Sequence, residues 1–213
     1  MAGSVMRGRL ISFEGGEGAG KSTAIAAAAA AVRDRGHAVL QVREPGGTPL
    51  GEAVRALLLD PAHAGMAARA ELLLMFAARA QLLETVVEPA LAAGQWVIAD
   101  RFTDASFAYQ GGGRGLDSGL IAELERWAVG RRPDLSLLLD LPVADGLARA
   151  RGRGGAADRI ETESLAFFER VRARYRARAQ ADPARWRVID ASQPVEDVAA
   201  QVARAVQDWM DAA

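Results

Sequence analysis

Short apolar runs recur along this chain at residues 10–13, 38–42, 96–99, 135–139 and 186–189, separated by longer stretches with helical spacing. Runs of this length, rich in Val, Ile, Leu and Trp, read as buried strands. Their alternation with helices predicts an α/β chain whose parallel sheet is covered on both faces, with ligands collecting beyond the strand C-terminal ends. Helix punctuation agrees with that pattern. Gly36 stops the first, alanine-rich helix, Thr48 and Pro49 form a cap and first-turn pair, and Asp117 caps a helix over residues 120–129. Residues 170–180 carry arginine at every second place and so imitate a strand. Phe168, Val171, Tyr175 and Ala179 nevertheless keep helical spacing, and Ala and Arg favour helix, so a helix with an exposed basic face is predicted.

Composition alters this picture mainly by exclusion. The chain has 213 residues, and at about 150 residues per domain it is predicted to be one domain, residues 1–213. A net charge of −1 gives no general pull toward nucleic acid or an anionic membrane. Cysteine is absent, which excludes disulfides and thiolate metal sites and suits a reducing cytoplasm. Residues 1–8 lack the apolar core of a signal peptide, and the alanine run at 26–31 is too short to span a bilayer. A soluble, cytoplasmic protein is the expectation.

Candidate chemistry begins where the first run ends. Gly15, Gly16, Glu17, Gly18, Ala19, Gly20, Lys21 and Ser22 have the spacing G-x-x-x-x-G-K-[ST] of a phosphate-binding loop, followed by Thr23 and a helical run. Of 26 lysines and arginines, Lys21 alone is lysine. A compact ammonium reaches between two phosphates where a planar guanidinium is too wide. Backbone N–H groups and the helix N-terminus would cradle the phosphates of a nucleotide, and Ser22 would place its hydroxyl on Mg²⁺.

Other groups gather at later strand ends. Asp100 and Arg101 follow the third run, where an acid can serve Mg²⁺ through water and an arginine can fork a phosphate. Asp140 ends the fourth run and competes for the metal; Asp100 is preferred because Arg101 follows it directly. Arg43, Glu44 and Pro45 open a Pro-Gly-Gly turn after the second run and are candidate substrate contacts. Ser106, Tyr109 and Gln110 offer hydroxyl and amide groups about one helical turn apart, and Phe76 and Arg79 share a helix face. Arg149, Arg151, Arg153 and Arg159 surround Gly152, Gly154 and Gly155, which suggests a flap over residues 149–160 that clamps phosphates on closing.

Taken together, the stretches FEGGEGAGKST, REPGGT, ELLLMFAARAQL, DRF, SFAYQGGGRG and DRIE resemble, in order, those of the bacterial thymidylate kinases. The resemblance implies a P-loop NTPase-type three-layer sandwich with a five-stranded parallel sheet and a short arginine-rich lid. It implies transfer of a phosphoryl group from Mg-ATP to dTMP on the way to dTTP, by a homodimer that uses neither nucleic acid nor membrane. Phe76 then resembles the residue that stacks on thymine and Arg79 the one that bonds the base edge. Arg101 resembles the arginine on the acceptor phosphate, assisted by Arg43 or Arg55. Tyr109 matches the group that crowds the sugar 2′ position, Ser106 and Gln110 polar contacts near the base, and Glu14 and Glu44 acids near sugar and metal. Gly18 stands where some members carry an arginine, which implies the class that supplies catalytic arginine from the lid: Arg149, Arg151 or Arg153, with Arg153 favoured. A guanine-reading switch protein is excluded, because its Asn-Lys-x-Asp motif needs an asparagine and a second lysine that the chain lacks.

Overall fold

Five parallel strands form one sheet: β1 (Leu10–Gly15), β2 (Val39–Arg43), β3 (Trp96–Asp100), β4 (Leu135–Asp140) and β5 (Trp186–Asp190), in the order β2-β3-β1-β4-β5. The computed structural model describes residues 7–152, 154 and 158–212. Each predicted run is a strand, extended at its end by polar residues or glycine. Register explains why those ends matter. Phe13 and Arg43 both pair with Asp100, Gly15 pairs with Leu139, and Asp140 pairs with Asp190. The phosphate-binding loop, the Arg43 turn and Asp100-Arg101 therefore leave the sheet along the same edge.

Side chains alternate across β1. Ile11 and Phe13 face α1 (Lys21–Asp34) and α9 (Val195–Ala212), in a core with Ala28, Ala29, Val32, Val202 and Val206. The alanines of α1 let the helix lie close to the sheet. Leu10 faces the opposite layer, with Leu72, Phe76 and Phe102. Ser12 lies in that second face and is satisfied by Ser136, Oγ to Oγ 2.9 Å. Layers on both faces make the three-layer sandwich expected of the sequence.

The second layer holds α2 (Pro49–Leu59), α3 (Ala68–Leu82), α4 (Glu88–Ala92), α5 (Thr103–Ser106), α6 (Ser118–Leu124), α7 (Val143–Arg151) and α8 (Leu165–Ala181). Predicted punctuation is where it was expected: Gly36 is left-handed at φ 83°, Thr48 Oγ1 accepts from Gly51 N at 2.9 Å, and Asp117 Oδ1 accepts from Leu120 N at 3.0 Å. Residues 120–129 are not one regular helix, because α6 widens into a π-type turn at Glu125–Val129. A similar turn at Phe107–Gly113 follows α5. Its glycines are needed because a Cβ on Gly113 would lie 2.4 Å from the Phe167 ring, and one on Gly112 2.8 Å from the Arg170 carbonyl.

The α8 arginines correct one expectation. They are not merely a solvated face: Arg172 and Arg176 bind Asp140, Arg178 binds buried Asp104, Arg174 binds Ser118, and Arg170 donates to the carbonyls of Gly112 and Gly113. A long planar donor can reach from an exposed stem to a buried acceptor, which periodicity does not reveal. Among the described residues no helix is long and apolar enough to cross a membrane.

Candidate active site

The loop after β1 is shaped by its glycines. Gly15, Gly18 and Gly20 have φ of 140°, 69° and 82°. A Cβ on Gly18 would lie 2.0 Å from the Gly146 carbonyl oxygen, and one on Gly146 would lie 2.4 Å from that of Glu17. Backbone thus packs on backbone between the loop and α7, and an arginine at position 18 could not enter without moving that helix. Lys21 opens α1 with its Nζ 3.4 Å from the Gly16 carbonyl. Burial and the Arg101 charge push the Lys21 pKa down, against the pull of Glu17 and Asp100. An arriving anion would relieve this.

Beside the loop, Ser22 and Asp100 line a single cleft of about 480 Å³, together with Arg43. Asp100 Oδ1 is buried without a hydrogen-bond partner. Asp140 is closed off, with Arg172 at 2.7 and 3.0 Å and Arg176 at 2.8 Å. The hydroxyl of Ser22 and the unpaired oxygen of Asp100 form a hard oxygen donor set that fits Mg²⁺. Among the described residues no group of three or more His, Cys, Asp or Glu could hold a metal, so a cation here must complete its shell with phosphate and water.

Arg101 is a non-glycine residue at φ 71°. Its Nη1 donates to the Gly15 carbonyl (2.8 Å) and the Tyr175 hydroxyl (3.2 Å), and its Nη2 to Glu17 Oε1 (3.0 Å). The guanidinium lies 4.8 Å from the Tyr109 ring centroid, and the Tyr109 hydroxyl also donates to Glu17 Oε1 (2.9 Å). Buried Glu14 accepts from Phe102 N and from the Tyr175 hydroxyl, each at 2.8 Å, and so braces the strained residue from behind.

Burial, reinforced by the Asp104 charge, raises the Glu14 pKa from 4.5 to about 8, against Tyr175, Arg101 and Phe102 N. A folded pKa above the unfolded one stabilises the fold below the unfolded value, and that contribution is lost as pH rises through the folded value. Compared with Glu14→Gln, the ligand-free chain should therefore lose thermal stability between about pH 5 and pH 8. Unfolding curves across that range check it. A stability difference that stays flat, or moves the other way, overturns it.

Around Arg101 and Tyr109, a cavity of about 120 Å³ is bordered also by Glu17, Glu44, Pro45, Arg55, Glu71 and Gln110. Arg55 Nη1 donates to the Pro45 carbonyl (3.0 Å), while Arg43 turns outward to Glu52 (2.8 Å). Arg79 is fully buried: it donates to Glu44 Oε2 (2.5 Å), the Ser106 hydroxyl (3.1 Å) and the Phe102 carbonyl (3.2 Å). Burial pushes the Glu44 pKa up against the Arg79 charge. Phe76 is 3 % exposed, with Arg79 4.9 Å from its ring centroid. Met75, not Phe76, borders the cavity, so a base stacking on Phe76 has to displace covering side chains.

The expected arginine flap is separated by the structure. Arg149 and Arg151 belong to the last turn of α7. Arg149 donates to the Ala191 carbonyl (2.9 Å) and borders a cleft of about 560 Å³ between Gly18–Gly20 and residues 191–195. Arg151 is exposed, and Arg153 lies outside the described residues. Arg159 is buried, bound to the Leu58 carbonyl and to Glu71 (both 2.7 Å). Sequence reasoning missed the 191–195 loop, the reach of Glu17 to the acceptor side, and Glu71. For Glu71 a signal existed, since an acid within ELLLMFAARAQL has to be satisfied inside the protein.

Comparison with known proteins decides the family. The thymidylate kinase family profile matches residues 13–202. This chain belongs to the thymidylate kinase family. A thymidylate kinase of Alcanivorax borkumensis is 54 % identical over 204 residues, covering 95 % of this chain and 98 % of that protein. One from Pseudomonas savastanoi pv. phaseolicola is 57 % identical over 198 residues, covering 92 % and 94 %. The solved thymidylate kinase of Ehrlichia chaffeensis superposes with a TM-score of 0.77 at 30 % identity, over 94 % of this chain and 100 % of that one. The sheet and loop are thus those of a thymidylate kinase built on the P-loop NTPase fold.

Proposed function

We propose a division of roles across the sheet edge. The chain is a nucleoside-monophosphate kinase that phosphorylates dTMP to dTDP with ATP as donor, a step toward dTTP. One observation carries the assignment of roles: Arg101 borders the acceptor cavity by α3 and donates to the Gly15 carbonyl of the loop whose residues Gly18–Gly20 border the donor cleft by α7. An oxygen of the dTMP phosphate attacks the γ-phosphorus as ADP leaves. The attacking oxygen is already anionic, so positioning and charge neutralisation carry the catalysis.

Lys21 and the loop N–H groups hold the donor phosphates, and Arg101, assisted by Arg55, holds the acceptor phosphate. Ser22 and Asp100 would hold Mg²⁺, which when bound would neutralise charge on the donor phosphates. Arg79, Ser106 and Gln110 read the base, while Tyr109 and Glu17 crowd the sugar. Arg43 keeps a phosphate role only by leaving Glu52. Arg151 and Arg153 remain the sources of lid charge for the transferring group. The assembly is a homodimer in the cytoplasm: Leu50 and Leu57 on α2 and Leu73 on α3 are exposed on packed helices, and a monomer mass by sedimentation equilibrium would overturn it.

A turnover assay with ATP and a panel of monophosphates tests this reading. dTMP should be preferred over dCMP, dGMP and AMP, with dUMP weaker by about 1–3 kcal/mol for its missing methyl. Comparable turnover of AMP and dTMP overturns it. Arg149 gives a separate check: bound to Ala191 at the donor cleft, it should act on ATP binding. Arg149→Ala is expected to raise KM for ATP about tenfold, with kcat for dTMP changed much less. A selective fall in kcat would return Arg149 to the transferring phosphoryl group.

A further inference from the structure

Glu71 is an acid inside α3, 1 % exposed, next to core residue Leu72. Its Oε1 accepts from Gln110 Nε2 (2.8 Å) and Arg114 Nε (3.3 Å), and its Oε2 from Arg159 Nη2 (2.7 Å) and Arg114 Nη2 (3.1 Å). Burial alone would raise the Glu71 pKa, but bonds from Gln110, Arg114 and Arg159 outweigh it and hold the carboxyl below its ordinary value. An ionised carboxylate only accepts hydrogen bonds. The end of the Gln110 amide that meets it must therefore be the NH₂, which removes the usual freedom to turn the amide over.

That leaves Gln110 Oε1 buried with no partner on the wall of the acceptor cavity. A buried acceptor left unpaired is costly unless a ligand supplies the donor. We propose that Glu71 is a positioning residue that locks the Gln110 amide, so that its free oxygen offers the acceptor base a hydrogen-bond acceptor and no donor. Thymine and uracil present a ring N3–H to such an oxygen, whereas cytosine presents a lone pair at N3 and is repelled. Glu71 itself borders the same cavity, and it sets base preference through the Gln110 amide, with Arg114 and Arg159 holding the carboxylate still. This inference rests on the dTMP assignment above.

The test uses the full chain with ATP, measuring kcat and KM for dTMP and dCMP. In Glu71→Gln the new amide at position 71 can donate, so the Gln110 amide is free to reverse. The ratio of kcat/KM for dTMP over dCMP should then fall roughly tenfold or more, mainly through KM for dTMP. Combining Glu71→Gln with Gln110→Glu exchanges donor and acceptor: the new carboxylate at position 110 takes the bond and again leaves an oxygen toward the base. That pair should restore the ratio to within about threefold of wild type. If Glu71→Gln folds and keeps the wild-type ratio, or if the pair folds and does not recover it, the inference is wrong. Should the single variant fail to fold, the pair decides alone; if it too fails to fold, Glu71 is a structural residue and the inference fails. A wild-type chain that turns over dCMP as well as dTMP sinks the dTMP assignment instead, before any variant is made.

Discussion

Replacing Lys21 by arginine lowers kcat about 10²–10³-fold although the charge is kept. Lys21 is the first residue of α1, after left-handed Gly20, and its ammonium rests 3.4 Å from the Gly16 carbonyl. Arg101, whose charge already acts on Lys21, donates to the Gly15 carbonyl and to Glu17. A second guanidinium on the loop would crowd that fork, compete for its acceptors, and present a planar edge where two phosphates need a point donor. Removing one preorganised donor to developing charge sets the magnitude. Steady-state kcat, with a melting curve to show an intact fold, measures the effect. Wild-type turnover in Lys21→Arg would overturn it.

The sheet was legible in the sequence because its strands are short, mostly apolar runs, but their ends were read short. Arg43, Asp100 and Asp140 belong to β2, β3 and β4. These polar residues terminate the strands at the ligand edge, and hydrophobicity is blind to them. Strand order had no signal of its own, because each run is compatible with any neighbour. The π-type turn at Phe107–Gly113 was equally hidden. It depends on glycines packing against Phe167 and Arg170 in α8, more than fifty residues later.

The candidate site was legible wherever its residues are consecutive, as in the glycine loop after β1 and Asp100-Arg101. It was not legible where the partner comes from afar. Asp140 competed with the preferred Asp100 for a metal, and only the arrival of Arg172 and Arg176 from α8 shows it neutralised. Arg159 looked like part of a phosphate clamp until its guanidinium was found on Glu71, 88 residues away. The family resemblance named Glu14 as an acid near sugar and metal; the structure buries its carboxyl against Phe102 N and the Tyr175 hydroxyl. Glu17, inside the loop motif, borders the cavity together with Glu44 and Glu71.

Arg101→Lys should lower kcat/KM for dTMP about 10³-fold, the lower end of what an arginine contributes to phosphoryl transfer. Its guanidinium spans the Gly15 carbonyl, Glu17 and the Tyr175 hydroxyl while lying on the Tyr109 ring. A lysine has one donor centre and cannot hold the loop while turning a second edge to a phosphate. The backbone offers an independent check, because a left-handed residue with a Cβ costs about 1–2 kcal/mol and glycine avoids that cost. Arg101→Gly should therefore be more stable than Arg101→Ala by about 1 kcal/mol, although both lack the cation and both should be nearly inactive. Denaturant unfolding of the two variants separates strain from charge. Equal stabilities would mean that φ 71° stores no strain, and activity within about tenfold of wild type in any of the three would remove Arg101 from the acceptor phosphate.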